Sequence, residues 1–389
     1  MEASPVHQIE RIVSFRRELH RYPEVSGKEE ATARRVQKFL EDHTSATVMP
    51  GIGGHGLVAV FEFGEGPGLL FRAELDALPI QEGNSFEHRS QNPGISHKCG
   101  HDGHTSILLG IALQLEKMSL SRGRLILLFQ PSEEDGTGAL EVLADSRFQE
   151  LQVDYAFALH NLPGEEIHQV ITAEGEFNST VQSVAIFLEG SSSHASEPEK
   201  GLNPAESILR LMQGFGELAV PEQENSRFSL LTPVHIKLGE ANYGISPGKG
   251  ELHYTLRCHK EEQMQFLREE VEMQVQKECR RSGLKCRTEW FDFFPSIRNN
   301  RELNALVVRV ARDQGFTVEE RNTPFRFGED FSWFSKYCPA VFFGLGAGIS
   351  TPALHSEAYD FPDPLLESGI RMFQGIAKAI LKPENQNPL

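Results

Sequence analysis

Residues 124–134 read RLILLFQPSEE. Leu125–Phe129 is an unbroken apolar run, the pattern of a strand buried on both faces. Gln130-Pro131-Ser132-Glu133-Glu134 follows it directly. Working outward, Leu57–Phe63 and Leu69–Glu74 are short apolar runs separated by Gly64–Gly68, which predicts a β-hairpin. Asp154–His160 and Ala340–Leu345 read as further strands. Ser106–Leu115, Ala139–Leu143, Glu302–Gln314 and Leu365–Leu381 have helical character. The first 45 residues or so are helical in pattern, with a second helix starting after Ser26 and Glu29 placed to complete a capping box. Buried strands alternating with helices predict an α/β fold, a mixed central sheet layered by helices.

The texture changes near residue 180. Val181–Glu189, Arg227–Leu238, Gly250–Cys258 and Lys285–Phe291 read as strands, Glu261–Arg281 as a long charged helix, and Asn203-Pro204-Ala205-Glu206 as a helix start. This β-α-β-β-α-β order predicts an inserted ferredoxin-like α+β lid. The expected division is a catalytic domain over 1–178 and 293–389, interrupted by a lid and dimerisation domain over 179–292.

Composition narrows the function. The chain has 389 residues, 39% of them hydrophobic, a length that suits two domains better than one. Its 55 acidic against 38 basic residues give a net charge of −17, which argues against nucleic-acid binding. The charge is diluted over a chain with 26 Phe and regular apolar runs, so disorder is not expected. No apolar stretch approaches the ~18–20 residues of a membrane span, and the opening MEASPVHQIERIVSFRRELH lacks the apolar core of a secretory signal. Five scattered cysteines argue against a disulfide framework and for a reducing, cytoplasmic setting.

The strand ends carry the chemistry. Asp76 follows Leu69–Glu74, Glu133 and Glu134 follow Leu125–Phe129, His160 follows Tyr155–Leu159, and His355 follows Val341–Leu345 after a glycine-rich loop. Ligand sites of open α/β sheets gather outside the carboxyl ends of the strands. Cys99-Gly100-His101-Asp102-Gly103-His104 adds a thiol and imidazoles just before a helix, with Asp102 as a natural N-cap. Thiolate, imidazole and carboxylate together suit Zn²⁺ or another borderline first-row dication. Adjacent Glu133 and Glu134 can divide labour, one binding metal and the other acting as general base. Each residue alone has a plainer explanation: a buried Cys as a small hydrophobe, Glu133-Glu134 as a solvated acidic turn. The convergence of five potential ligands is what favours a metal site.

At these residues the chain resembles the M20 metallopeptidases, in particular their amidohydrolase branch of hippurate hydrolase-like, N-acyl-amino-acid and auxin-conjugate amidohydrolases. The matching segments are RRELHRYPE (16–24), RAELDALPI (72–80), Cys99–Gly110, FQPSEE (129–134), LHNLP (159–163), GEDF (328–331) and LHS (354–356). The resemblance implies a zinc-exopeptidase-like catalytic domain and a two-metal site, Zn or Mn with Co or Ni as further candidates. Cys99 would bridge both ions, His101, Glu134, His160 and His355 would complete the ligands, Glu133 would be the general base, and Asp76 would orient a ligand. Ser193-His194-Ala195-Ser196-Glu197-Pro198 resembles the lid motif whose histidine, here His194, helps hold the oxyanion, in related enzymes from a partner subunit of a homodimer. Arg257 falls where the family carries an arginine near the substrate carboxylate. The family's Asn-x-Ile-Pro becomes Asn242-Tyr243-Gly244-Ile245-Ser246-Pro247, with Gly244 where the asparagine would align, so either Asn242 serves from a shifted position or the contact is absent. The implied activity is hydrolysis of small-molecule N-acyl amino acids to a carboxylic acid and a free amino acid. A dipeptidase on the same scaffold, a metal-binding protein without catalysis, and a Cys99-nucleophile hydrolase are the alternatives that the residues leave open.

Overall fold

The computed structural model describes residues 5–382, so the first four residues of the opening segment lie outside the described part. The chain divides into two compact units. The first runs to Phe177 and takes up Ile297–Asn322 and the chain from Asp330 onward; the second is Asn178–Ser296 with Thr323–Glu329.

The first unit is built on an eight-stranded sheet in the order Thr47–Ile52, Gly56–Glu62, Arg124–Gln130, Gly68–Glu74, Tyr155–Pro163, Ala340–Gly348, Val170–Ala173, Val318–Arg321. The expected hairpin over residues 57–74 does not form. Arg124–Gln130 inserts between its arms, antiparallel to Gly56–Glu62 and parallel to Gly68–Glu74. A wholly apolar strand gains most where both edges and both faces are covered. The glycine-rich link serves that crossing: Phe63 N–H donates to Gly123 O at 2.9 Å and Gly123 N–H to Glu65 O at 3.1 Å. At Gly66, with φ of +148°, a Cβ would lie 2.6 Å from the Gly123 nitrogen, so only glycine fits.

His101–Ala112 is buried along its whole length. With Leu365–Leu381 it contributes Ile107, Leu108, Ile370 and Phe373 to the core formed with Leu127, Phe129, Phe157, Val341 and Phe343. Each such side chain is worth about 1.5–3 kcal/mol when withdrawn from water. The second helix runs Glu30–His43, but Glu29 does not cap it. The Glu24 carboxylate instead accepts the Ala31 and Thr32 N–H groups at 3.3 and 2.7 Å. Glu29 turns away to a different task, described below.

The second unit is a four-stranded antiparallel sheet ordered Ser229–Leu238, Lys249–Cys258, Thr180–Glu189, Lys285–Phe294. Its helices are Ala205–Leu218 and Glu261–Ser282, giving the ferredoxin-like arrangement. Lys249–Cys258 alternates between buried and partly exposed residues. Leu252, Tyr254 and Leu256 pack with Val184, Ile186, Phe215, Leu267 and Val271, while Glu251, His253 and Arg257 take the other face.

Thr323–Glu329 belongs with this unit rather than with residues 293–389 as expected. Ser179 Oγ donates to Phe325 O at 2.9 Å, Gln223 Nε2 to Pro324 O at 2.8 Å and Arg257 Nη1 to Arg326 O at 2.7 Å. The unit also holds a disulfide, Cys279–Cys286, against the expectation from cysteine count; the turn at Gly283 brings the two Cα atoms to 6.2 Å. Cys99, Cys258 and Cys338 are free. Among the described residues no helix is long and apolar enough to cross a membrane.

Candidate metal centre

Gly100 lies between Cys99 and His101 with φ of +99°, and His101 opens the helix. That left-handed turn lets the thiol and the imidazole face one cavity. Asp76 follows the strand Gly68–Glu74, and Glu133-Glu134 the strand Arg124–Gln130. His160 sits within its strand rather than beyond it, because pairing with Ala340–Gly348 carries Tyr155–Pro163 onward. His355 lies in the loop after Ala340–Gly348 at φ of +62°.

Five of the predicted ligands meet. Cys99 Sγ is 3.4 Å from His160 Nε2, and His355 Nε2 is 3.6 Å from Glu134 Oε1. His101 Nε2 is 3.8 Å from Glu133 Oε2 and 4.0 Å from Glu134 Oε1. Cys99, His101 and His160 form one triad whose ligand atoms lie within 4.8 Å of one another, and Cys99, Glu134 and His355 form a second. The shared member is Cys99.

The hydrogen bonding suits a cation. His101 Nδ1 donates to the Asp76 carbonyl at 2.9 Å and His160 Nδ1 to the Asn161 carbonyl at 2.8 Å, so each imidazole presents Nε2 to the cavity. His101 Nε2 and Glu134 Oε1 are buried without a hydrogen-bond partner, a costly state unless an ion satisfies both. Burial opposes charge on His101, yet Glu74 and Asp76 hold its imidazolium up to about 10. Burial and the charges of Glu134 and Glu133 push the Cys99 thiol well up. Burial and the charge of His104 push the His160 pKa well down. A cavity of this acidity favours positive charge, which a dication supplies while leaving His101 a neutral ligand.

Several supporting residues escaped the sequence reading. Asp76 Oδ2 accepts Glu134 N–H at 2.9 Å and Ser26 Oγ–H at 2.8 Å. Glu29 Oε1 accepts Ser132 N–H at 2.9 Å, and Ser132 holds φ of +54°. Asp330 Oδ2 accepts Ala139 N–H at 2.9 Å and Gln130 Nε2–H at 2.7 Å. The turn bearing Glu133 and Glu134 is thus pinned by three carboxylates from distant segments. His104 Nδ1 meets Glu74 Oε2 at 2.7 Å, and its Nε2 lies 2.6 Å from Asn161 Oδ1. The available signal was Arg72 and Glu74 set inside an otherwise apolar strand.

Asp102 does not cap the helix but lies in its first turn. Its Oδ2 accepts from His20 Nδ1 at 2.9 Å and Arg16 Nη1 at 3.2 Å. His20 Nε2 meets Glu82 Oε2 at 2.9 Å, and Glu82 pairs with buried Lys98. Lys98 Nζ also donates to Tyr359 O at 2.7 Å, while Lys98 O accepts His355 N–H at 2.8 Å. Lys98 therefore ties the Cys99 and His355 segments together.

The remaining predicted residues belong to the second unit. His194 is exposed, with Nδ1 2.7 Å from Ser196 Oγ. Asn242 Oδ1 accepts Gly244 N–H at 3.1 Å, closing its own turn. Arg257 is part-buried, and burial lowers its pKa.

Two donor triads share the Cys99 sulfur, and Glu133 forms a further candidate group with His101 and Glu134; a cluster of thiol, imidazole and carboxylate of this kind suits a metallohydrolase. The sequence profile of peptidase family M20/M25/M40 matches residues 70–379, and the chain belongs to that family. It is 26% identical over 375 residues to the N-acetylcysteine deacetylase of Bacillus subtilis, covering 96% of this chain and 97% of that one. Its fold matches that of a B. subtilis dinuclear metal binding peptidase of the M20 family, with a TM-score of 0.82, 24% identity, and 97% and 99% of the two chains covered. It also matches the aminobenzoyl-glutamate utilization protein of Klebsiella pneumoniae, with a TM-score of 0.70, 18% identity, and 97% and 98% covered. The protein is an enzyme of the M20 hydrolase family.

Proposed function

We propose that the protein hydrolyses the amide bond of N-acyl amino acids, releasing a carboxylic acid and a free amino acid. The observation that carries this is Glu133. It is 6% exposed, lies 3.8 Å from His101 Nε2, and stands beside Glu134, which belongs with Cys99 and His355 to the second triad. The two triads that share Cys99 are complete without Glu133, which also groups with His101 and Glu134; we assign it the role of the base.

When bound, two dications (Zn²⁺ or Mn²⁺, with Co²⁺ or Ni²⁺ as further candidates) would acidify water and polarise the amide carbonyl. Cys99, His101 and His160 would hold one, and Cys99, Glu134 and His355 the other. Glu133 takes the proton of the attacking water and passes it to the departing amine. Asp76 fixes the proton on His101 Nδ1 and holds Glu134 through its backbone. His194, from this chain or from a partner copy joined through the second unit, donates to the developing oxyanion. Arg257 receives the substrate carboxylate, and Asn242 is the second residue we assign to substrate binding. The names of the B. subtilis and Klebsiella relatives, a deacetylase of one N-acyl amino acid and a user of another, support the substrate class. Five cysteines and a net charge of −17 support a cytoplasmic setting, and the Cys279–Cys286 disulfide counts against it.

The test compares N-acetyl and N-benzoyl amino acids with unblocked dipeptides. Acylated substrates should turn over faster; preference for free dipeptides would make this a peptidase instead. Dialysis against a chelator should abolish hydrolysis, and Zn²⁺ or Mn²⁺ should restore it. Full activity of metal-free protein would rule the centre out. His194→Ala should lower kcat with metal content unchanged; a fall in bound metal would make His194 a ligand.

A further inference from the structure

We propose that the open face of the second unit's sheet carries a separate binding site for one transition-metal dication, held by His235, His253 and Glu251. His235 and His253 stand directly opposite each other in the antiparallel ladder of Ser229–Leu238 and Lys249–Cys258. Their ring centroids are 5.0 Å apart. Glu251 lies two residues before His253 and so shares its face. Its Oε2 is 3.8 Å from His253 Nε2 and 4.0 Å from His235 Nε2. Both imidazoles therefore present Nε2 to the same carboxylate oxygen, and neither distance is a hydrogen bond. His253 Nε2 is buried and has no hydrogen-bond partner.

An ion with bonds of about 2.0–2.1 Å sets its ligand atoms roughly 3.3 Å apart. The three ligand atoms do not all lie within 4.8 Å of one another here, so the exposed His235 and Glu251 side chains would have to rotate onto the buried His253 Nε2 to close the gap. Two imidazoles and a carboxylate suit Zn²⁺, Ni²⁺ or Cu²⁺. The His235 and Glu251 side chains are 51% and 39% exposed, so water can complete the coordination.

The neighbouring cations are already engaged. Lys237, opposite Glu251 in the ladder, sends Nζ to Glu240 Oε1 at 2.6 Å. Arg287 pairs with Glu289 and covers the Phe187 ring, which lies 5.9 Å from the His253 ring. The site shares no residue with the Cys99 centre and stands whether or not the proposed reaction is right. Its ion would pin the edge strand, exposed from Thr232 to Leu238, to its ladder partner.

The test uses the full chain, stripped with chelator and dialysed against buffered Zn²⁺, with metal per chain read by plasma emission. The parent should hold one Zn²⁺ per chain more than the His235→Gln/His253→Gln double variant. This difference is independent of how many ions the Cys99 centre takes. Glu251→Gln is a second, milder variant and should also lose that ion at limiting Zn²⁺. With Cu²⁺, paramagnetic resonance of the parent should show a centre with two imidazole nitrogens that the double variant lacks. Equal Zn²⁺ content and the same Cu²⁺ spectrum in parent and double variant would overturn the site.

Discussion

Glu133→Gln should leave the bound metal unchanged and lower kcat by at least ~10²-fold, the lower end for a positioned acid–base group. That corresponds to about 2.7 kcal/mol of transition-state stabilisation. Gln keeps the size and one acceptor oxygen but cannot take a proton. The metal should stay because Cys99, His101, His160, Glu134 and His355 already make up the two triads without Glu133. The backbone should also stay, since Ser132 N–H is held by Glu29 and Glu134 N–H by Asp76. The informative comparison is metal content beside kcat. Near-normal turnover would remove Glu133 as the base, whereas loss of metal with turnover would make it a ligand.

The second large effect should be on stability. Glu82→Gln should destabilise the first unit by about 3–5 kcal/mol near neutral pH, the range for removing one partner of a buried ion pair. The Lys98 side chain is fully buried and the Glu82 side chain is 3% exposed. Beyond Glu82, Lys98 Nζ has the Tyr359 carbonyl, which cannot balance its charge. Burial raises the Glu82 pKa, but His20 and Lys98 outweigh it and hold the carboxyl at about 2. A carboxyl whose folded pKa lies below its unfolded value of about 4.3 stabilises fully above that value and loses this contribution as pH falls. The gap between parent and variant should therefore be widest near pH 7 and narrow between about pH 5 and 2. Urea unfolding of both proteins at pH 7 and pH 3 reads it directly. A gap under about 1 kcal/mol at pH 7, or one indifferent to pH, would mean the pair is not the anchor described here.

Much of the centre was legible because its chemistry sits at strand ends. An uncharged run such as Leu125–Phe129 announces a buried strand, and a polar residue just past it falls at the sheet's rim. The β-α-β-β-α-β order of the runs from Val181 to Phe291 likewise disclosed the second sheet. Strand order was not legible. Gly64–Gly68 has the composition of a turn, and nothing local says that Arg124–Gln130 enters between the strands it joins. The holding network was hidden for a related reason. Glu29 resembles a helix cap, and Asp102 resembles another. Only contacts spanning 103 positions to Ser132 and 82 to His20 assign them otherwise. Lys98 was overlooked beside Cys99 because a lysine is rarely fully buried. The Cys279–Cys286 bond was missed because an odd count over a long chain argues about frameworks, not about one pair brought together by a turn.

The measurement closest to the central claim is anomalous diffraction at the metal edge from crystals of the loaded protein. Two peaks should appear about 3.5–4 Å apart, both within about 2.3 Å of Cys99 Sγ, with Glu133 bound to neither. A single peak, a Cys99 sulfur outside bonding distance, or Glu133 as a ligand would contradict it.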